Sequence, residues 1–70
     1  MTLRNAELGQ EYTIRGIVTE DEEMDAFLFS LGCFAGESIT VVTRRRGGCT
    51  VSIKDARYSI DNSLCEAILI

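Results

Sequence analysis

The residues of this 70-residue chain with the widest chemical range are its three cysteines, Cys33, Cys49 and Cys65. They stand 16 positions apart, without a C-x₂-C pair and without a single histidine in the chain. A structural zinc site needs about four Cys or His ligands, so this set is too small and too widely spaced. An odd number of cysteines also cannot close a disulfide framework within one chain. Cys49, beside Gly47-Gly48, reads as the exposed thiol. The lack of histidine removes the commonest general base, and no nucleophile elbow or G-x-x-x-x-G-K-[ST] loop is present. No catalytic residue, cofactor site or metal site is expected.

Two charged clusters remain. Glu20-Asp21-Glu22-Glu23, with Asp25, lacks the alternating Asp spacing of a calcium loop. Carboxylates in a first helical turn spread around the axis, where they complement the helix dipole. Arg44-Arg45-Arg46 is the one basic cluster. On a hairpin, alternate side chains leave opposite faces, so the three do not form one flat patch. They discourage edge pairing or meet an acidic partner or a lipid headgroup. A net charge of −4 argues against nucleic acid as partner.

The elements that position these residues follow from hydrophobic period. Apolar residues make up 46% of the chain, a globular value sufficient for one domain, 1–70. Met1 to Gln10 lacks the apolar run of a signal peptide, and no segment approaches a membrane span, so the expected location is the reducing cytoplasm. Leu3 and Leu8 are expected core contacts in a lead-in turn. Glu11 to Thr19 alternates as a strand, Tyr12, Ile14 and Ile17 or Val18 inward, with an interruption at Gly16. Glu20 to Leu31 changes to a helical stripe: Met24, Phe27, Leu28 and Leu31. Thr19 with Glu22 matches a capping box, and Gly32 supplies a left-handed stop. Phe29 lies opposite that stripe and is expected to face outward, as an interface aromatic. Phe34 either packs on the helix end or stays exposed.

Four further strands come after Gly36. Ser38 to Arg44 carries Ile39 and Val41 on one face, and Gly47-Gly48 offers the positive φ angles of a tight hairpin. Thr50 to Lys54 returns, Asp55-Ala56 turns, and Arg57 to Asp61 places Tyr58 and Ile60 together. A single helical turn and a final strand over Ala67 to Ile70 end the chain. Five short strands favour closure, which removes exposed edges. The expected fold is mainly β: a small SH3-like barrel of about five strands, with one amphipathic helix between the first and second.

These signals occur in an order that resembles the ferrous iron transport protein A (FeoA) family. Leu31-Gly32-Cys33-Phe34-Ala35-Gly36 resembles that family's helix end and turn, and Leu8-Gly9 its approach to the first strand. Gly48, Val51 and Ile53 match its glycine turn and following strand. Tyr58, Ile60, Cys65, Ile68 and Ile70 match apolar or small positions of its closing segment, and because Cys33 and Cys65 fall at positions normally apolar there, the resemblance implies that both are small core residues. Ala35 replaces the usual proline and Thr50 stands near another. Ala26, Phe27 and Asp61 stand where basic residues are frequent, so a basic surface there is reduced or reversed. The resemblance implies a cytoplasmic accessory protein of bacterial ferrous iron uptake. Its partner would be the membrane protein that carries a cytoplasmic G-domain, with the membrane touched only through that transporter. Self-association is compatible with the same reading. The fold also occurs as the C-terminal domain of iron-dependent repressors of the diphtheria toxin repressor type. Phe29, Phe34, Arg44, Arg45 and Arg46 are the expected partner contacts. A second reading is a metal-sensing or metal-delivering barrel that uses an exposed Cys49 and carboxylates.

Overall fold

A strand that changes partners halfway is what closes this structure, a computed structural model describing residues 1–70. Glu11–Thr13 (β1) pairs antiparallel with Ser38–Arg45 (β3), whereas Gly16–Ile17 (β2) pairs antiparallel with Ile68–Leu69 (β6). Between them Ile14 is wholly buried. Its N–H donates to Glu37 O at 2.8 Å, and its own carbonyl accepts from Gly36 N–H at 2.9 Å. The interruption expected at Gly16 therefore falls just before it, and there the chain crosses from one sheet to the other. Counted as one bent strand, β1 and β2 give the five-stranded barrel that the alternation foretells.

The larger sheet runs β1-β3-β4-β5, with β4 at Gly48–Ile53 and β5 at Ala56–Asp61. Its inward residues follow the period of two. Ile39, Val41, Cys49, Val51 and Ile53 have essentially no exposed surface, and Ile60 is almost as buried. They join Leu3, Ile14, Leu28, Cys65 and Ile68 in one contiguous core. Leu8, expected inside, is 57% exposed, and Val18 faces out while Ile17 is half-buried. Leu3 already occupies the core from a 3-10 turn over Leu3–Asn5, and Leu8 lies beyond it, on the way to β1.

Both hairpins correct the expected turn chemistry. Neither Gly47 nor Gly48 has a positive φ. The positive φ angles fall instead on Lys54 (51°) and Asp55 (68°), so the second turn sits one residue before the expected Asp55-Ala56. That spares Ala56, whose Cβ would resist a left-handed backbone.

The helix α1 is shorter than its sequence pattern, Glu22–Ser30. Its N-cap is Asp21, not Thr19: Asp21 Oδ1 accepts from the N–H groups of Glu23 (3.0 Å) and Met24 (3.2 Å). A carboxylate caps better than a threonine hydroxyl. Thr19 Oγ1 instead accepts from Asp21 N–H at 3.1 Å. Leu28 is the only buried residue of α1, flanked by half-buried Met24 and Leu31. Phe27, counted in the expected inward stripe, is 47% exposed. Gly32 ends the helix at φ +88°, the left-handed stop that the sequence implies.

A second helix, α2 (Asn62–Ala67), extends the single turn expected near the end of the chain. Asp61 caps it by accepting from Leu64 N–H at 2.9 Å. Through α2 the chain swings from β5 to β6 and so back to β2.

Candidate interaction surface

Among the residues with functional potential, the structure gathers Phe29 and Phe34 and separates the arginines. Phe29 leaves the last turn of α1 and is 65% exposed. Gly32 then reverses the chain and returns Phe34 to it, with ring centroids 5.1 Å apart at a tilt of 33°. The alternative left open for Phe34 resolves as both: it packs on the helix end and keeps a half-exposed ring. Lys54, from the left-handed turn between β4 and β5, sets its Nζ 5.0 Å from the Phe34 centroid and 3.5 Å from Glu37 Oε1. Its stem passes over Gly32, where a Cβ would lie 3.5 Å from Lys54 Cδ. That is ordinary van der Waals contact, so it is the left-handed φ of Gly32, not the room it leaves for Lys54, that calls for glycine. Such a cation over an aromatic face adds about 0.5–1 kcal/mol at an exposed site. An exposed aromatic pair whose side chains are already ordered has the character of residues that serve as interface hot spots.

Sequence reasoning did not single out Lys54. It stands 20 positions from Phe34, and only the fold shows that the turn reaches the helix end. The one signal available was the Lys54-Asp55 pair at a hairpin, where Asp tolerates positive φ.

The arginines do not share this surface, and as expected they do not form one patch. Arg44 donates from Nη2 to the carbonyls of Leu3 (3.2 Å) and Ala6 (2.9 Å), so its guanidinium ties the N-terminal 3-10 turn to β3. Arg45 reaches Thr50 Oγ1 (3.5 Å) and Ser59 Oγ on the outer face of the sheet. Arg46 is exposed, and its carbonyl accepts from Asn62 Nδ2 at 3.0 Å. Arg44→Met should therefore lower stability by about 1–2 kcal/mol, since two charge-assisted bonds to main-chain carbonyls are lost at a partly exposed site. Arg46→Met should change it by less than about 0.5 kcal/mol. Urea unfolding of both variants checks the contrast.

The exposed thiol is overturned. Cys49 is completely buried, as are Cys65 and, nearly so, Cys33. Its position on β4 alternates inward with Val51 and Ile53, and proximity to the Gly47-Gly48 turn does not alter that phase. Burial pushes the Cys33 thiol up to about 11. Burial, then the hydrogen bond and charge of Cys49, push Cys65 up to about 12. Thiols held protonated in this way are poor metal ligands at neutral pH. The burial of Cys49 removes the exposed thiol on which the metal-handling reading depended.

The one cavity, about 290 Å³, is a shallow polar groove beside this surface. The side chains of Glu11, Glu37, Lys54 and Asp55 line it together with Gly36, Ser38, Thr40 and Ser52. No three His, Cys, Asp or Glu side chains converge as ligands would. No helix is long and apolar enough to cross a membrane.

A small β-barrel with a filled core and an exposed aromatic pair at a helix end has the form of an SH3-like domain, a class that hosts many unrelated functions. The model of the FeoA domain family matches residues 1–70, and the chain belongs to that family. An iron uptake regulatory protein (FeoA) superposes with TM-score 0.86 at 20% identity, over 97% of this chain and 91% of that one. The zinc-complexed FeoA of Stenotrophomonas maltophilia, described as a procaryotic SH3 domain protein, superposes with TM-score 0.86 at 18% identity, over 99% and 87%. A manganese-dependent transcriptional repressor gives 0.88 at 24% identity, but this chain spans only 39% of it. At these identities the likeness shows a shared fold. A sequence search of curated proteins gives no significant match.

Proposed function

We propose that this chain is an accessory factor of ferrous iron uptake that works on the cytoplasmic side through protein–protein contact, without catalysis of its own. Membership of the FeoA domain family supports the iron-uptake part of this reading. So does the description of the Stenotrophomonas maltophilia relative in terms of ferrous iron transport activation. The contact part rests on one observation: Phe29 and Phe34 pair outside the core, with Lys54 over the Phe34 ring, in a fold that needs neither ring for its interior. The partner that fits is the transporter bearing a cytoplasmic G-domain. A binding module acts on such a partner by preferring one of its states and so raising that state's population. Arg45 and Arg46 form a separate, secondary contact at the hairpin, whereas Arg44 serves the fold.

The test is calorimetric titration of this protein into the soluble cytoplasmic part of the transporter, nucleotide-free, GDP-bound and GTP-analogue-bound. Binding should differ among the three states. Phe29→Arg should weaken the preferred complex at least about 30-fold, the scale of an interface hot spot, with folding retained. Equal affinity for all three states removes the regulatory mechanism. Unchanged affinity of Phe29→Arg moves the contact elsewhere.

A further inference from the structure

The deepest unexplained feature of the molecule lies on the opposite side of the chemistry from its surface. Cys49 Sγ and Cys65 Sγ are 3.0 Å apart in the core. One belongs to β4 and the other to α2, and both have no exposed surface. This separation is well inside ordinary sulfur–sulfur contact. It lies about 1 Å beyond the bond length of a disulfide, about 2.05 Å. Nothing in the proposed partner contact uses either residue. Cys33, the third thiol, has no sulfur within hydrogen-bonding reach.

We propose that Cys49 and Cys65 are a preorganised dithiol that closes to an intramolecular disulfide with a small-molecule disulfide as oxidant. Packing against β4, β5 and the N-terminal 3-10 turn holds α2 in place. That fixes both sulfurs at high effective concentration, so the second thiol outcompetes solution thiols once the first has reacted. The exchange balances in two steps. One protein thiolate attacks the small disulfide, forms a mixed disulfide and releases one small thiol. The other protein thiolate then displaces the second small thiol and leaves the Cys49–Cys65 bond. Two protein S–H bonds are lost, one S–S bond is gained, and the oxidant is reduced to two thiols. Burial of both groups keeps the closed fold unreactive. The first step therefore awaits opening of the six-residue α2, and reclosure brings the second sulfur to the first. The bond fastens α2 to β4 across 16 residues and leaves the aromatic surface untouched.

The experiment takes the wild-type protein and Cys33→Ala, which keeps the pair. Each is equilibrated over a range of reduced-to-oxidised glutathione ratios, both from the folded state and by refolding from urea, then acid-quenched. Thiol counting and mass spectrometry of unreduced peptides provide the readout. At oxidising ratios the wild type should fall from three free thiols to one and lose the mass of two hydrogens. A single link should join the peptides of Cys49 and Cys65. Cys33→Ala should fall from two to none, and the melting temperature of both should rise by roughly 12–24 °C, the scale expected for a loop of this length. Three free thiols after refolding at the most oxidising ratio would overturn the proposal. So would stable glutathione adducts without a link, or a link that includes Cys33.

Discussion

Gly48→Ala should cost at least about 3 kcal/mol and leave little or no cooperatively folded protein at 37 °C. A Cβ at this position would fall against the carbonyl oxygen of Ile60, 2.8 Å from Asp61 Cα and 2.9 Å from Ile60 C. All of these atoms are backbone of the neighbouring strand. No rotamer change relieves the clash, and the pairing Gly48↔Asp61 would have to separate. That pairing lies at the point where β5 hands over to α2, because Asp61 is also the N-cap. A domain of this size has roughly 3–5 kcal/mol of core stability, so one such lesion is comparable to the whole. Gly47→Ala is the internal comparison. Its Cβ meets nothing within 4 Å and its φ is not positive, so it should be neutral or stabilising by up to about 0.5 kcal/mol. Thermal and urea unfolding of the two variants separate a steric requirement at Gly48 from a conformational one shared by both glycines. Equal effects would show that the turn, not the strand approach, demands glycine.

The second large effect is expected one residue from the proposed contact. Leu28→Ala should lower stability by about 2–5 kcal/mol, the range for truncating a buried leucine. The argument is sharper here than for a typical core position, because Leu28 is the sole fully buried residue of α1. Met24 and Leu31, only half-buried, cannot hold the helix alone. A nine-residue helix has no stability of its own in water. Hydrogen exchange should therefore show α1 amides losing protection before those of β3 and β4. Phe29→Ala should cost less than about 1 kcal/mol, the aromatic pairing with Phe34 being its main folded contact. Its effect should fall on partner binding instead. Adjacent substitutions with opposite readouts, stability for one and affinity for the other, distinguish an anchored helix from a contact helix in a single experiment. A large loss of stability in Phe29→Ala would return that residue to the core and withdraw the surface.

How much of this was open to a reader of the sequence depends on the range of the interaction. The inward faces of β3, β4 and β5 were legible, because a period of two is a local property and Ile39, Val41, Val51, Ile53 and Ile60 keep it. The existence of α1, its glycine stop and the outward direction of Phe29 were legible for the same reason. The cap was misplaced by two residues, since Thr19 and Asp21 both satisfy the local rule and only the backbone path chooses between them. Phe27 was misplaced because a nine-residue helix seated through one leucine offers the core a narrower face than the stripe suggests. Cys49 was misjudged by neighbourhood: a residue next to a turn looks exposed, yet strand phase sends it inward.

What the sequence determined by itself, then, was the class of the molecule: alternation and punctuation specify a small barrel with one helix, and the composition excludes histidine chemistry outright. What the tertiary structure alone decided were the pairings of residues distant along the chain. Phe34 meets Lys54 across 20 positions, Cys49 meets Cys65 across 16, Arg44 meets Leu3 and Ala6 across about 40, and Gly48 abuts Ile60. Hydrophobic period records which way a side chain points relative to its own element. Which other element stands there depends on where β1 passes into β2 and where α2 turns the chain back, and those are properties of the closed barrel.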